Sequence, residues 1–338
     1  MRKLASIQKV KSLYPIEGAD AIECAAVLGW QLVVKKDEFK VGDLCVYCEI
    51  DSLFPEKPEF EFMRPRKMRV KTIRLRGQIS QGICFPLSLL PAGFEVAEDA
   101  DCTDALGILK YEPPMPAHLT GIAKGKFPSF IPKTDETRVQ VLQRLLDKYK
   151  GEPCYVTEKL DGSSATFYVH QNEFGVCSRN LDLLEDKENT FWKVARALDI
   201  ETKLRSLNGN FALQGELMGE YIQDNKLKLR GHTVYFFNVF DIDRFEYLPF
   251  DSFVKTIANL GLQTVPILDA NYPLSNEIDS IIRMATRKSA WKPDVWAEGI
   301  VIRPTMEKID LILSNENFNN GRVTLKAINP EFLLKYGE

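Results

Sequence analysis

Histidine is scarce in this chain: only His118, His170 and His232 occur among 338 residues. They are scattered, so a histidine-based acid–base mechanism is poorly supplied. No apolar run reaches the length of about eighteen residues that a membrane-spanning helix needs, so no membrane partner is expected. The N-terminus, MRKLASIQKVKSL, is too polar for a secretory signal. Its Leu4, Ile7 and Val10 read instead as part of a folded strand or turn. There is no GxxxxGK[ST] loop and no βαβ unit with a Gly-rich turn, which removes the P-loop and dinucleotide-fold routes to a nucleotide. Seven cysteines (Cys24, Cys45, Cys48, Cys84, Cys102, Cys154 and Cys177) form an odd, dispersed set. That pattern suits a reducing, intracellular compartment, whether cytoplasm, nucleus or an organelle. Cys45 and Cys48 make the one CxxC, but DLCVYCEI reads as a strand and no second pair completes a zinc site. Charge bias is also absent: 44 Lys and Arg face 47 Asp and Glu, a formal net charge of -3.

What is present is a soluble composition, 45% hydrophobic and 27% charged, with material for more than one core. Residues 1–105 carry short apolar runs, AAVLGWQLVV, LCVYCEI, MRVKTIRLR and GICFPLSLL, separated by charged or Gly/Pro turns. They predict a small all-β domain, most simply a barrel. Residues 106–135 contain Pro113, Pro114, Pro116, Pro128 and Pro132 and little periodicity, which predicts a linker packed on the next domain. Residues 136–338 alternate strand and helix patterns. Val139, Leu142, Leu145, Leu146 and Tyr149 fall on one stripe and predict a helix over 136–149. Further helices are expected over 191–207, 250–261 (closing on Gly261) and 276–290. The strands between them read as antiparallel. The fold class is therefore α+β: an N-terminal β-barrel, then an antiparallel-sheet domain.

The stretch TEKLDGSS, residues 157–164, is the first candidate site. Lys159 ends an apolar strand, Asp161 alternates with it, and Gly162 permits close approach to a ligand. A lysine amine becomes a nucleophile where its surroundings free it of its proton. Alone, KxDG is a weak signal. CSRN (177–180), LQGELMGE (213–220), YFFNVFDI (235–242), AEGIVIRP (297–304) and VTLKAIN (323–329) follow it in order.

Together with KLDGSS these stretches resemble motifs I, Ia, III, IIIa, IV and V of the covalent nucleotidyltransferases, the ATP-dependent ligases and capping enzymes. The β-rich domain ahead of motif I, with the wording KLDGSS, EGIVIRP and LKAINPEFLLK, is similar to RNA ligases of the Deinococcus and Naegleria type. These carry an N-terminal OB module. The resemblance covers essentially the whole chain. It implies an ATP-dependent RNA ligase that seals 3′-hydroxyl and 5′-phosphate ends, expected at nicks in RNA-containing duplexes and expected as a monomer. The alternatives are a DNA ligase or capping-type guanylyltransferase of the same superfamily, or an inactive nucleic-acid-binding relative. The intact set of acids and lysines argues against the last.

The resemblance also implies roles. Lys159 takes AMP from ATP. Lys326 faces the α-phosphate, Arg179 a phosphate, and Asn180 the ribose or phosphate side. Glu216, an acid among apolar neighbours that needs a partner, faces the ribose hydroxyls. Asp161 and Glu298 hold Mg2+ or Mn2+ through water, since such ions prefer oxygen and keep part of their hydration shell. Phe240 covers adenine, because it directly precedes Asp241 as in the FD pair of the family motif; strict alternation sets Phe236 and Phe240 on one face and Phe237 on the other. Thr157, Glu158 and Leu160 line the nucleotide, with Glu158 and the Thr157 backbone at the adenine edge. One departure stands out. Motif V usually shows two lysines two apart, whereas here Thr324 precedes Lys326. Arg322 is the nearest substitute, off in spacing. In the N-terminal domain, Arg64, Arg66, Lys67, Arg69, Lys71, Arg74 and Arg76 form a dense basic run, read as a barrel-strand stripe for a phosphate backbone.

Overall fold

The computed structural model describes residues 3–112, 122–310 and 321–337. Pro113, Pro114 and Pro116 of the expected linker lie outside the described residues.

The N-terminal strands Ala5–Ile16, Ala19–Val27, Trp30–Lys35, Leu44–Cys48 and Ile83–Phe85 form one antiparallel five-stranded sheet. A register shift between Val10 and Ser12 bends the first strand so that its two halves pair with different neighbours. The Gln81 N–H donates to the Gln31 carbonyl at 2.8 Å and the Val33 N–H to Ser80 Oγ at 3.0 Å, which curls the sheet toward closure. The core inside contains Ile7, Val46, Tyr47, Trp30 and Phe60. All seven cysteines are free and buried, in agreement with a structural role.

The basic run does not form the expected strand stripe. Pro58–Arg66 is a 3-10 helix, and only Ile73–Leu75 is a strand, paired with Gln78–Ser80. Pro65 and the left-handed Lys67 and Met68 prevent continuous extension. Arg69 is bound to Asp51 at 2.8 Å, Lys71 donates to the Gly337 carbonyl at 2.7 Å, and Arg74 pairs with Glu331. Three of the seven cations thus bond to other parts of the chain, Arg69 largely buried and Arg74 exposed, and no strand stripe forms.

The second half is a sandwich of two sheets. The larger has the strand order Ala123–Lys126, Leu181–Leu183, Glu173–Cys177, Ser163–His170, Phe211–Gly219, His232–Asp241 and Glu246–Tyr247. The smaller runs Thr137–Arg138, Leu325–Ile328, Gly299–Pro304, Pro153–Lys159 and Ile267–Pro273. All pairs are antiparallel except the first of the smaller sheet. Each sheet packs helices on its outer face. Phe253 and Ile257 of the helix Phe250–Asn259 join Phe167, Leu213 and Phe236; Ile278 and Ile281 of Ile278–Ala285 join Val156, Ile300 and Leu325. Each such buried side chain contributes roughly 1.5–3 kcal/mol.

Several helix expectations change. Thr137–Arg138 is extended because it pairs in parallel with Leu325 and Lys326; only Gln143–Lys148 is α-helical in that stretch. The 191–207 helix breaks at Asp199 (φ 52°) into Thr190–Ala197 and Ile200–Arg205. The last helix stops at Ala285, and residues 286–297 become a loop over the site. The 250–261 expectation holds, with Gly261 at φ +62° just past the helix.

Candidate functional site

TEKLDGSS is the crossover between the two sheets. Its strand Pro153–Lys159 belongs to the smaller sheet and its strand Ser163–His170 to the larger. Leu160, Asp161 and Gly162 span the gap, with Leu160 buried beside Met218 and Val265. A Cβ on Gly162 would sit 2.4 Å from the Leu217 carbonyl oxygen and 2.8 Å from Glu216 Cγ. Glycine is therefore required for close backbone approach, and its N–H donates to Glu216 Oε1 at 3.1 Å.

The register of the smaller sheet then builds the cleft. Thr157 lies opposite Val301, Lys159 opposite Gly299, and Val301 opposite Lys326. Residues directly opposite in a sheet point the same way, so Lys159 and Lys326 share one face. Lys159 Nζ reaches both Glu298 oxygens at 2.6 Å. Across the cleft, Glu216 rises from the larger sheet. Burial opposes a charge on Lys159, but Glu298, Glu216 and Asp161 outweigh it and hold the amine pKa above its ordinary value. Burial pushes Glu216 up to about 8; Lys159 opposes this, and Glu298 and Asp161 add to it. Lys326 moves the other way. Burial, with the charges of Arg138 and Lys159, lowers it to about 7.

Five of the expected residues, Lys159, Asp161, Glu216, Glu298 and Lys326, thus come together. Arg179 sits at an exposed rim, paired with Asp135 at 2.6 Å, and the Asp135 carboxylate also feels Lys326. Asn180 is beside it, with Oδ1 accepting from Lys133 at 2.9 Å. Thr157 is buried with its hydroxyl 3.5 Å from the Val301 carbonyl. Among the described residues no three acids, cysteines or histidines are close enough to chelate an ion directly. The donors are carboxylates around a lysine, a set that fits a hydrated Mg2+ or Mn2+ held through its waters.

Two expectations are corrected. The first is Phe240, which is 1% exposed and packed edge-on to Tyr247 and Phe245, with Tyr168 and Ile131 in the same cluster. No ligand face remains on it. Strict alternation failed because of a bulge: Gln214 pairs with Asn238 and Gly215 with Phe236, which skips Phe237. Phe236 therefore faces the outer core, while half-buried Phe237 and Tyr235 pack with Leu160 and Met218 at the cleft. The second is the Glu158 side chain. It accepts from Ser289 Oγ at 2.6 Å and from the Ala290 N–H at 2.7 Å, on the helix-backed side of the sheet. Its oxygens thus anchor the 286–297 loop, and Glu158 and Ser289 both border the small space beside Lys159 and Asp161. Arg322 is likewise engaged elsewhere: it binds Glu307 and Asn238 and lies 3.6 Å over Tyr247. The residue that stands beside Lys326 is Arg138, its partner in register, which also donates to Asp51 of the barrel at 3.1 Å.

Sequence reasoning missed Lys226. Its Nζ lies 2.6 Å from Asp161 Oδ2, and its side chain is 9% exposed. YIQDNKLKLR matches no motif, and the alternation of Lys226, Lys228 and Arg230 was the only signal available. The space between Lys159, Asp161, Lys226, Trp296 and Phe332 is nearly closed, with about 20 Å³ open. A larger hollow of about 520 Å³ lies nearby, lined by Leu229, Tyr235, Gln263, Thr264 and Trp291, with no charged residue.

Comparisons with known proteins agree with this geometry. A family model described as an OB-fold domain matches residues 4–87, and one described as RNA ligase matches residues 152–328. No curated protein matches. Among solved structures, a glutamate-to-alanine variant of Naegleria gruberi RNA ligase with ATP and Mn is 38% identical, with a TM-score of 0.89 and 100% of each chain covered. A lysine-to-methionine variant with AMP and Mn is 39% identical, with a TM-score of 0.88 and 98% of each chain covered. The same ligase with PPi is 39% identical at a TM-score of 0.87, again with 98% of each chain covered.

Proposed function

Because the chain belongs to the RNA ligase family, and its motif lysine stands among three carboxylates with a second lysine on the same sheet face, we propose that it joins RNA ends by way of a lysyl-AMP intermediate. The observation that carries this is the grouping of Lys159, Glu298, Glu216, Asp161 and Lys326 in one cleft. ATP supplies the AMP. The Lys159 amine attacks the α-phosphorus, its N–P bond forms, the bond to the leaving pyrophosphate breaks, and the amine proton is lost. AMP then passes to the 5′-phosphate of an RNA end. The 3′-hydroxyl of the neighbouring end attacks that phosphate and releases AMP. Splitting the condensation in this way replaces one hard step with three displacements.

Each residue has a task set by its place. Lys326, its pKa lowered to about 7 by burial and its cationic neighbours, gains charge beside a phosphate and stabilises the α-phosphate. Arg138 stands next to it in register and supplies the second cation that motif V lacks. Glu216 receives the ribose hydroxyls. Phe237, on the cleft side with Tyr235, covers adenine in place of Phe240. Leu160 and the Thr157 backbone line the nucleotide, and Arg179 and Asn180 meet phosphate or ribose at the rim. A hydrated Mg2+ or Mn2+ bound by Asp161 and Glu298 would neutralise phosphate charge and favour a neutral Lys159 amine. For organisation we propose a barrel domain over 1–105, a packed connecting segment over 106–135 and a nucleotidyltransferase domain over 136–338. The barrel would hold the strand that carries the 3′-hydroxyl, so that a monomer seals nicks in RNA-containing duplexes.

The test is covalent labelling. Native protein incubated with α-labelled ATP and Mg2+ or Mn2+ should carry label, and Lys159→Ala should carry none. Label persisting on Lys159→Ala would refute the site, and no label on the native protein would refute the reading. Among the described residues no helix is long and apolar enough to cross a membrane.

A further inference from the structure

The geometry points to Lys226 as a counter-ion that holds Asp161 and must leave it before a metal ion can take its place. The inference rests on the metal role given to Asp161 above and concerns a positioning residue that no motif contains.

Three observations converge. First, Lys226 Nζ is 2.6 Å from Asp161 Oδ2, and each of the two side chains is at most 14% exposed. Lys159 occupies Glu298 at the same distance. The two carboxylates expected to face a cation are therefore each neutralised by an ammonium group. Second, Lys226 is held from behind by the C-terminal helix Pro330–Tyr336. The rings of Phe332 and Tyr336 each lie 5.3 Å from Nζ, a cation–π arrangement. Only about 20 Å³ remains open around these groups, against the several hundred that a nucleotide-sized ligand fills.

Third, the segment that carries Lys226 is costly in conformation. Tyr221, Gln223, Asp224, Asn225 and Lys228 all have positive φ, between 44° and 65°, and none is glycine. Such residues persist only where their surroundings enforce them. Asn225 does so locally, through Nδ2 to the Leu229 carbonyl and Oδ1 from the Leu229 N–H. The Lys226–Asp161 pair is the charged tie from the segment to the site, beside the packing of Leu227 and Leu229 on Leu160 and Met218. Moving Lys226 away breaks that tie and lets the segment relax. A cation that competes for Asp161 therefore opens the cleft as it binds, which couples metal uptake to nucleotide access.

The test measures Mn2+ affinity of the nucleotide-free protein from the electron paramagnetic resonance signal of free Mn2+. Lys226→Met removes the competing charge at unchanged length and should bind Mn2+ at least about tenfold more tightly than wild type. Lys226→Arg keeps the charge and should stay near wild type. Adding Asp161→Asn to Lys226→Met should abolish the gain. An affinity of Lys226→Met equal to or below wild type, or a gain that survives Asp161→Asn, overturns the proposal. A second measurement needs no variant. Backbone amides of residues 222–229 in the wild type should exchange faster with solvent deuterium at saturating Mn2+, and unchanged exchange overturns the coupling. Neither readout involves AMP transfer, so failure here is separate from failure of the labelling test at Lys159.

Discussion

Glu158 separates two accounts of this site, and its replacement tests them. The carboxylate is 2% exposed and takes two short hydrogen bonds, 2.6 Å from Ser289 Oγ and 2.7 Å from the Ala290 N–H. Ser289 Oγ in turn accepts from the Trp291 N–H at 3.2 Å. Hydrogen bonds to a charged group each contribute roughly 1.5–3 kcal/mol, and a donor left buried without a partner loses more. Glu158→Ala strands both donors, so it should cost about 3 kcal/mol in urea-induced unfolding, with some relief from entering water. Glu158→Gln keeps one acceptor oxygen for Ala290 and should cost only about 1 kcal/mol. Ser289→Ala combined with Glu158→Ala should cost less than the sum of the two, because the pair is one contact. The nucleotide readout is the KM for ATP in adenylylation. It should shift modestly in Glu158→Gln, since both carboxylate oxygens are already taken by Ser289 and Ala290. If Glu158→Ala left stability within about 0.5 kcal/mol of wild type and Glu158→Gln raised the KM about tenfold or more, the anchoring role would be wrong and an adenine contact would be right.

Further predictions concern the two phenylalanines, Glu216 and Gly29. Phe240→Ala should lose roughly 3–5 kcal/mol of stability through a core cavity, whereas Phe237→Ala should mainly raise the KM for ATP; the reverse pattern in unfolding and adenylylation assays would restore Phe240 as the adenine cover. Glu216 keeps its proton in the folded chain up to about 8, while an unfolded glutamate loses it near 4.5. The folded state then binds the extra proton across that window, so stability from this group falls as pH rises through it. The melting-temperature difference between wild type and Glu216→Gln should accordingly decline from about pH 5 to about pH 8, and a flat difference would contradict the shift. A Cβ on Gly29 would lie 2.9 Å from the backbone of Gln140, where the barrel meets the second half of the chain. Gly29→Ala should cost about 1–3 kcal/mol and speed proteolysis between the halves, while Arg74→Ala, which removes an exposed ion pair, should cost under about 1 kcal/mol.

Chemistry-bearing residues were legible in the sequence where a short run of chain fixes them. Lys159, Asp161 and Gly162 are neighbours, so a motif records them, and the same holds for Glu216 in QGEL and Glu298 in EGIVIR. The barrel followed by an antiparallel sandwich was legible too, because alternation and turn residues are local signals. Local pattern failed wherever a distant strand decided the outcome. Residues 137–138 fall within the helix expected over 136–149, yet pairing with Leu325 and Lys326 extends them and sets Arg138 beside Lys326. A bulge opposite Gln214 and Gly215 moves Phe240 off the face of Phe236, and alternation cannot foresee a skipped residue.

The sequence by itself singled out Lys159, the acids around it and the class of fold, since each is written in contiguous residues. Tertiary structure alone decided which cations serve them. Lys226 is 65 positions from Asp161, and Arg138 is brought to Lys326 only by sheet register. A buried carboxylate must find a positive partner, and which partner it finds depends on how the chain folds back across the cleft.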